Sequence, residues 1–494
     1  MALPESGSAW PPPQWAAYYR AMAVDDAWYS GDRHRLARIY GHHHDPRERR
    51  KLWGRLLNRP RPSKREARLH VPLAGDIART SADLLFADMP TITVDDGTTQ
   101  DRLAVLLDEG RVHETLLEAA EQAAAISGVF LRVTWDRDLV QRPLLTVMQA
   151  DNAIPEFRFG MLRAVTFWRE LEGSTQAHVW RHMERHAPGV IEHALYEGTG
   201  DNLGRRVPLT EHPETRDIAA TLDASGDSLN TGIPMLTAAY LPNMLPNRLH
   251  RTAPVGRSDY AAVHDLFDSL DEVWTSWMRD IRLARARLIV PEAYLNNEGP
   301  GRGASFDDDR EVYHGLKIPP TDNSGGITLA QFGIRVEEHQ RTSDAIVRQA
   351  IQTAGYDGAA FGIDEPGGTM TATEVDARSA RGMRTRKKKT GYARHSVADA
   401  VHAMLALDAR LFTRGLKVER PRVEFGDGVA ESPQQSATTL DLLSRAGAVS
   451  TATKVKMLHP EWNDADVQAE VRSILLETGA GTAPDPGDTY PLAA

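Results

Sequence analysis

A change of period at residue 129 constrains the fold more than any other feature of this chain. VFLRVTW alternates Val129, Leu131, Val133 and Trp135, the pattern of a half-buried strand. Similar short runs recur at 143–149, 164–171, 177–183 and 190–196, joined by Gly, Pro, Asn and Asp turns. Outside this block the apolar spacing is helical. The chain is therefore read as α+β, mainly helical, with an antiparallel β-meander inserted.

Before the meander, residues 10–57 read as short helices rich in Trp, Tyr and Arg, broken by Pro11–Pro13 and by Gly41–Pro46. The basic run Arg47–Arg61 suits a solvated surface helix or a subunit contact. An amphipathic helix is expected over 70–88, ending before Pro90, and another over about 100–127. Residues 198–235, rich in Gly, Asp and Pro, read as a long surface excursion.

Ser258 is expected to cap a long helix with Asp259 in its first turn. Val263, Phe267, Leu270, Trp274, Met278, Ile281 and Leu288 would line one side. Running about 30 residues to Pro291, it would be roughly 45 Å long. Arg279, Arg282, Arg285 and Arg287 lie toward its C-terminal end, where cations complement the helix dipole or serve an interface. A small irregular module follows at 291–330, with the acidic turn GPGRGASFDDD.

Next, Ile346, Val347, Ala350, Ile351 and Ala354 mark a helix that runs into the glycine-rich loop GYDGAAFGIDEPGGTM. Thr371 and Glu374 then form a capping-box signature opening another helix. Residues 378–394 hold eight Arg or Lys and no acid. After Phe412 come a short strand, RPRVEFG, helices near 435–446 and 463–478, and a polar tail expected to be loose. No internal repeat is found.

At 494 residues the chain would divide into two to four domains. It has no cysteine, which excludes disulfides, thiolate zinc sites and a cysteine nucleophile. No apolar run approaches the roughly 20 residues needed to span a bilayer. The N-terminus lacks a secretory pattern, so a cytoplasmic origin is expected. A formal net charge of −10 argues against a protein that coats nucleic acid; any contact would be local or weak.

GxxxxGK[ST], GxSxG, HExxH and a strand-linked GxGxxG are all missing from the sequence. His178, His182 and His186 share a face and could in principle hold zinc, but their neighbours suggest an exposed strand with polar residues outward. His42–His44 are consecutive and diverge. Asp307, Asp308 and Asp309 could serve metal-assisted chemistry, yet three adjacent aspartates in a Gly-rich turn read more simply as a solvated tip. No catalytic residue, cofactor or metal is expected.

Taken in order, the helix beginning GRSDYAAVHDLFDSLDEVW, the Gly-rich loop leading into TATEVDARSARG, and the end LLSRAGAVSTATKVKMLHPEWNDADVQAEVRSI resemble the portal proteins of tailed double-stranded-DNA bacteriophages, of the siphovirus head-to-tail connector type. The likeness covers most of the chain. It implies a wing (1–255, joined by the long helix and strand of 371–425), stem helices at 256–290 and 334–354, a clip (291–333), a tunnel loop (355–370), and a crown with its tail (426–494). It also implies a ring, typically of twelve subunits, at one capsid vertex, through which DNA enters and leaves.

On that resemblance, Gly358, Phe361, Gly362, Asp364, Gly367, Gly368, Thr369 and Met370 would face DNA. Arg302, Asp307, Asp308 and Asp309 would lie on the clip, where the terminase large subunit docks and a head-completion adaptor later replaces it. The clip is short and acidic for the family, which bears on motor docking. Arg378, Arg381, Arg384, Arg386, Lys387, Lys388 and Lys389 would pair with acids on a neighbouring subunit or face DNA or scaffold. Major capsid and scaffolding proteins would be further partners, with no membrane role. The implied setting is the virion, and the host cytoplasm during assembly. Two other classes compete: a DNA-processing enzyme such as a metal-dependent nuclease, and a minor head or scaffolding protein.

Overall fold

The computed structural model describes residues 3–40, 68–175, 177–223, 226–251, 254–284, 287–289, 296–297, 304–305, 328–330, 333–363, 372–426, 433–459, 462 and 464–478. They form two units, one up to Gly426 and one from Asp427 onward.

The first unit opens with helices α1 (Ala16–Ser30), α2 (Arg33–Tyr40) and α3 (Leu73–Phe86), then strand β1 (Thr91–Thr93). The helix expected over 100–127 is two, α4 (Gly97–Glu109) and α5 (Val112–Ile126). The break comes at Arg111, which sits in the left-handed region at φ 48. The Asp96 carboxylate caps α4 by accepting from Thr99 N at 2.9 Å.

The meander forms as expected but divides between two sheets. Strands β2 (Gly128–Trp135) and β3 (Pro143–Gln149) pair with each other, and β4 (Ala153–Arg158), β5 (Met161–Glu170), β6 (Val179–Ala187), β7 (Val190–Gly198) and β8 (Arg205–Val207) make a second sheet in that order. The supposed excursion after 198 is largely tied down. It supplies β8, helix α6 (Pro213–Thr221) and β9 (Ser228–Asn230), which pairs with β7. Strand β10 (Ala238–Pro242) then returns to the far side of β2.

Helix α7 (His264–Leu283) starts later than expected and is 20 residues long. Ser258 and Asp259 do not begin it because each is committed elsewhere. Asp259 N donates to Ala124 O at 3.0 Å, and Ser258 Oγ donates to the same carbonyl at 3.4 Å. Tyr260 is fully buried and donates to Ala74 O. Beyond α7, β11 (Arg287–Ile289), β12 (Asn296–Asn297), β13 (Ala304–Ser305) and β14 (Thr328–Ala330) form two antiparallel pairs, β11 with β14 and β12 with β13. Arg287 thus lies in a strand, not at a helix end. The expected clip residues Arg302, Asp307, Asp308 and Asp309 lie outside the described residues, as do His42–His44 and the run 47–61.

Helices α8 (Val336–Ala354) and α9 (Ala372–Leu411) follow, and β15 (Arg422–Glu424) pairs with β1. At 40 residues α9 is roughly 60 Å long. Its sequence changes character midway. From Ala393 onward, Val397, Val401, Met404 and Leu405 are buried against α3, α5 and β2 in the largest core. Alanines 119, 120 and 123 on α5 let α3 pack closely against it. A second core gathers Trp28, Ile77, Tyr260, Phe267, Ile351 and Tyr356.

The second unit contains α10 (Pro433–Arg445), α11 (Thr451–Leu458) and α12 (Asp464–Glu477). Val455, Val467 and Val471 make its small core, and Ser450 Oγ caps α11 by accepting from Thr453 N.

Candidate functional site

The glycine-rich loop is rooted firmly at its start. Helix α8 ends in a Schellman closure, with Tyr356 N donating to Ile351 O and Gly355 N to Gln352 O. Gly355 adopts φ +109, a conformation that only glycine holds without strain. The chain then turns so that the Tyr356 ring enters the core, 1% exposed.

Four positions on α9, the adjacent Arg381 and Gly382 and then Thr385 and Lys389 at steps of about one helical turn, grip this root. Arg381 Nη1 donates to Gln352 O at 2.9 Å. Gly382 N donates to Asp357 Oδ2 at 3.0 Å. Thr385 Oγ1 donates to Gly355 O at 2.6 Å. Lys389 Nζ donates to Asp259 Oδ2, Ser81 Oγ and the Tyr356 hydroxyl at 2.7, 2.6 and 2.9 Å. Tyr356 in turn donates to Asp259 Oδ2 at 2.7 Å, and Asn243 Nδ2 donates to Asp259 Oδ1 at 2.9 Å. Every hydrogen of the ammonium thus has an acceptor, as a buried charge requires. Burial pulls the Lys389 pKa below its ordinary value, and Asp259 opposes that pull.

Gly382 is needed at the contact, since a Cβ there would lie 2.8 Å from Asp357 Oδ2. Beyond the root, Ala359, Ala360 and Gly362 are exposed and uncharged, while Phe361 and Ile363 pack on the second core. Of the eight residues expected to face DNA, Gly358, Phe361 and Gly362 fall in the described part. Asp364, Gly367, Gly368, Thr369 and Met370 lie outside it.

The basic run is split by the helix period. Lys389, expected at a surface contact, is instead 4% exposed and internally paired, because its turn of α9 faces Asp259. Arg386 also turns inward, its guanidinium donating to Leu84 O at 2.6 Å and Gly426 O at 2.8 Å. Arg384, Lys387, Lys388 and Arg394 occupy the opposite, exposed face and form no ion pair among the described residues. The side chain of Arg378 lies outside the described residues.

The histidines expected on an exposed strand are partly buried: His182 is 4% and His186 0% exposed. The reason is the sheet of β2, β3 and β10. Arg132 from β2 reaches Glu184 at 2.8 Å, and Thr237 meets His186 Nδ1 at 2.6 Å, so β6 is covered on this face. His186 Nε2 bonds the other Glu184 oxygen at 2.8 Å. Burial alone would raise the Glu184 carboxyl, but the His186 hydrogen bond and the Arg132 charge hold it well below the usual range. His182 stacks on His193 with ring centroids 5.3 Å apart. Burial, then the neighbouring His193, push the His182 pKa down to about 4. His178 stands apart, bonded to Glu197 at 2.6 Å. Among the described residues no group of three or more His, Asp or Glu could hold a metal ion, and no helix is long and apolar enough to cross a membrane.

Sequence reasoning missed Tyr356, Ser81 and Asn243, and placed Asp259 in a helix turn. The available signal was the spacing of Arg381, Thr385 and Lys389, which puts one lysine of the basic run on the face that becomes apolar at Ala393.

Compared with known protein families, residues 14–480 match the model described as phage portal protein, SPP1 Gp6-like. Among solved structures, the virion of a native gene transfer agent particle is similar at 13% identity and TM-score 0.43, covering 78% of this chain and 89% of that one. The neck of the native particle, computed with C12 symmetry, aligns at 13% identity and TM-score 0.38 over the same shares. The neck of the empty particle, computed with C6 symmetry, aligns at 14% identity and TM-score 0.38, again covering 78% and 89%. No curated protein sequence matches the chain.

Proposed function

The chain belongs to the SPP1 Gp6-like phage portal protein family, and from that premise we propose that it closes into a ring, of twelve copies, forming the DNA channel at one capsid vertex. DNA passes through during packaging and ejection. The segment 291–333 is the docking point for the terminase large subunit and later for a head-completion adaptor, and the helices after 426 form the crown. The role is structural, without catalysis, in the virion and, before that, in the host cytoplasm during assembly.

The observation that carries this reading is the loop: without a basic side chain and exposed at Ala359, Ala360 and Gly362, yet fixed at its root to a rigid buried network. A channel must let a polyanion slide. Each phosphate neutralised adds salt-dependent affinity, and several per subunit around a ring would clamp the duplex. A loop without cations on a stiff mount keeps contacts weak and their position fixed. The exposed cations Arg384, Lys387 and Lys388 then pair with acids of the neighbouring copy, which the net charge of −10 supplies in excess. Only groups within a Debye length, about 8 Å at physiological salt, take part.

Deleting residues 358–368 tests the loop. The ring should assemble, while DNA packaging or retention fails; normal genome filling by the deletion variant overturns the loop's role.

A further inference from the structure

Helix α9 carries two glycines, Gly382 and Gly391, and glycine weakens a helix interior relative to alanine. Gly382 is explained within the chain by its contact with Asp357. Gly391 is not: it is exposed, and a Cβ built on it would meet open space. Lys387 and Lys388 stand one turn before it and Arg394 and His395 one turn after, all exposed. The next acid along, Asp399, is held by Arg420 at 2.8 Å. The face is thus a patch of bare backbone between two cationic turns. Such a gap suits a close approach by something outside the chain.

Helix α4 presents the complementary arrangement. Val105 is apolar and 39% exposed, with Asp101 one turn before it and Asp108 one turn after, on the same face. Neither aspartate forms an ion pair among the described residues, whereas the neighbouring Glu109 is engaged by Arg142 at 3.6 Å. The two faces match step for step: acid, apolar knob, acid on α4, and cation, gap, cation on α9.

We propose that α4 of one copy docks on α9 of the next, Val105 seating over Gly391, with Asp101 and Asp108 against the cations on either side. The contact rests on the ring reading and supplies the acids that the cationic face meets. It joins two different surfaces, so every copy offers one of each, and heterologous contacts of this kind close into rings. Duplex DNA suits the face less well. Its phosphates would match the cations but bring no apolar group to cover the bare backbone.

The chain has no cysteine, so a disulfide between introduced ones reads the contact directly. A helix seated on a glycine brings the Cα atoms within the roughly 4.4–6.8 Å that a disulfide spans. Full chains carrying Val105→Cys alone or Gly391→Cys alone should stay uncrosslinked when oxidised after assembly. Mixed before assembly, the two should give a covalent dimer. Rings seen by sedimentation without that dimer overturn this contact and leave the ring reading standing; chains that stay single overturn both. Charge reversal supplies a second measurement, at exposed positions where the fold tolerates it. Asp101→Lys with Asp108→Lys should weaken association roughly tenfold at low salt. Adding Lys387→Glu, Lys388→Glu and Arg394→Glu should restore it, and no recovery overturns the pairing. So does protection of Gly391→Cys from a maleimide by duplex DNA but not by assembly.

Discussion

Lys389 and Asp259, 130 residues apart in sequence, meet at 2.7 Å in the interior, with side chains 4% and 2% exposed. This pair joins α9 to the turn before α7, and Tyr356, bonded to both, hangs the glycine-rich loop from the same point. The pair is asymmetric in its support. Asp259 keeps Tyr356 and Asn243 if the lysine is lost, whereas Lys389 has no other counter-charge among the described residues. Asp259→Asn should therefore cost about 3–5 kcal/mol, the penalty for an uncompensated buried charge. Lys389→Met should cost less. Urea unfolding followed by tryptophan fluorescence compares them; equal losses would mean the ammonium is not confined as described.

The loop's mount can be loosened without touching that pair. Thr385→Val removes the bond to Gly355 O, and Gly382→Ala forces Asp357 away from the helix. Each should lower stability by only about 1 kcal/mol while speeding amide exchange selectively over 355–363. Exchange that rises uniformly across α9 would show the grip to be global rather than local.

How much of this was legible in the sequence depended on range. The meander, α8 and α9 announce themselves through period and local caps, because those signals lie within a few residues of one another. The start of α7 did not, since Ser258 and Asp259 are good capping residues that long-range partners recruit away. Nor could β1 be seen: three residues carry no period, and its partner β15 lies more than 300 positions on. The inward turn of Lys389 was legible only from its place on the face that becomes apolar at Ala393; the aspartate it meets lies 130 residues away.

The stacked His182–His193 pair makes the first unit acid-sensitive. The folded pKa of His182 is about 4 against an ordinary 6.5, and that of His193 is also lowered by burial. Unfolded chains bind protons that these imidazoles refuse when folded, so the neutral pair's stability is intact above pH 6.5 and is lost progressively down to about pH 4. Melting temperature should fall through that window, and His182→Leu should flatten the fall. An identical pH profile in the variant would assign the acid sensitivity elsewhere.

The exposed face of α9 should matter to assembly, not to folding. Lys387→Glu with Lys388→Glu removes two solvated cations and should change unfolding free energy by no more than about 0.5 kcal/mol each. It should nonetheless weaken subunit association, most visibly at low salt, where exposed charges are least screened. Sedimentation velocity across a salt series reads this directly; association unaffected by the double charge reversal would remove the face from the subunit contact.

Electron microscopy of the purified protein tests the central claim most directly. A closed ring with an open centre wide enough for duplex DNA, built from many copies of this chain, is the predicted image. Particles that stay single and compact under every assembly condition would contradict it.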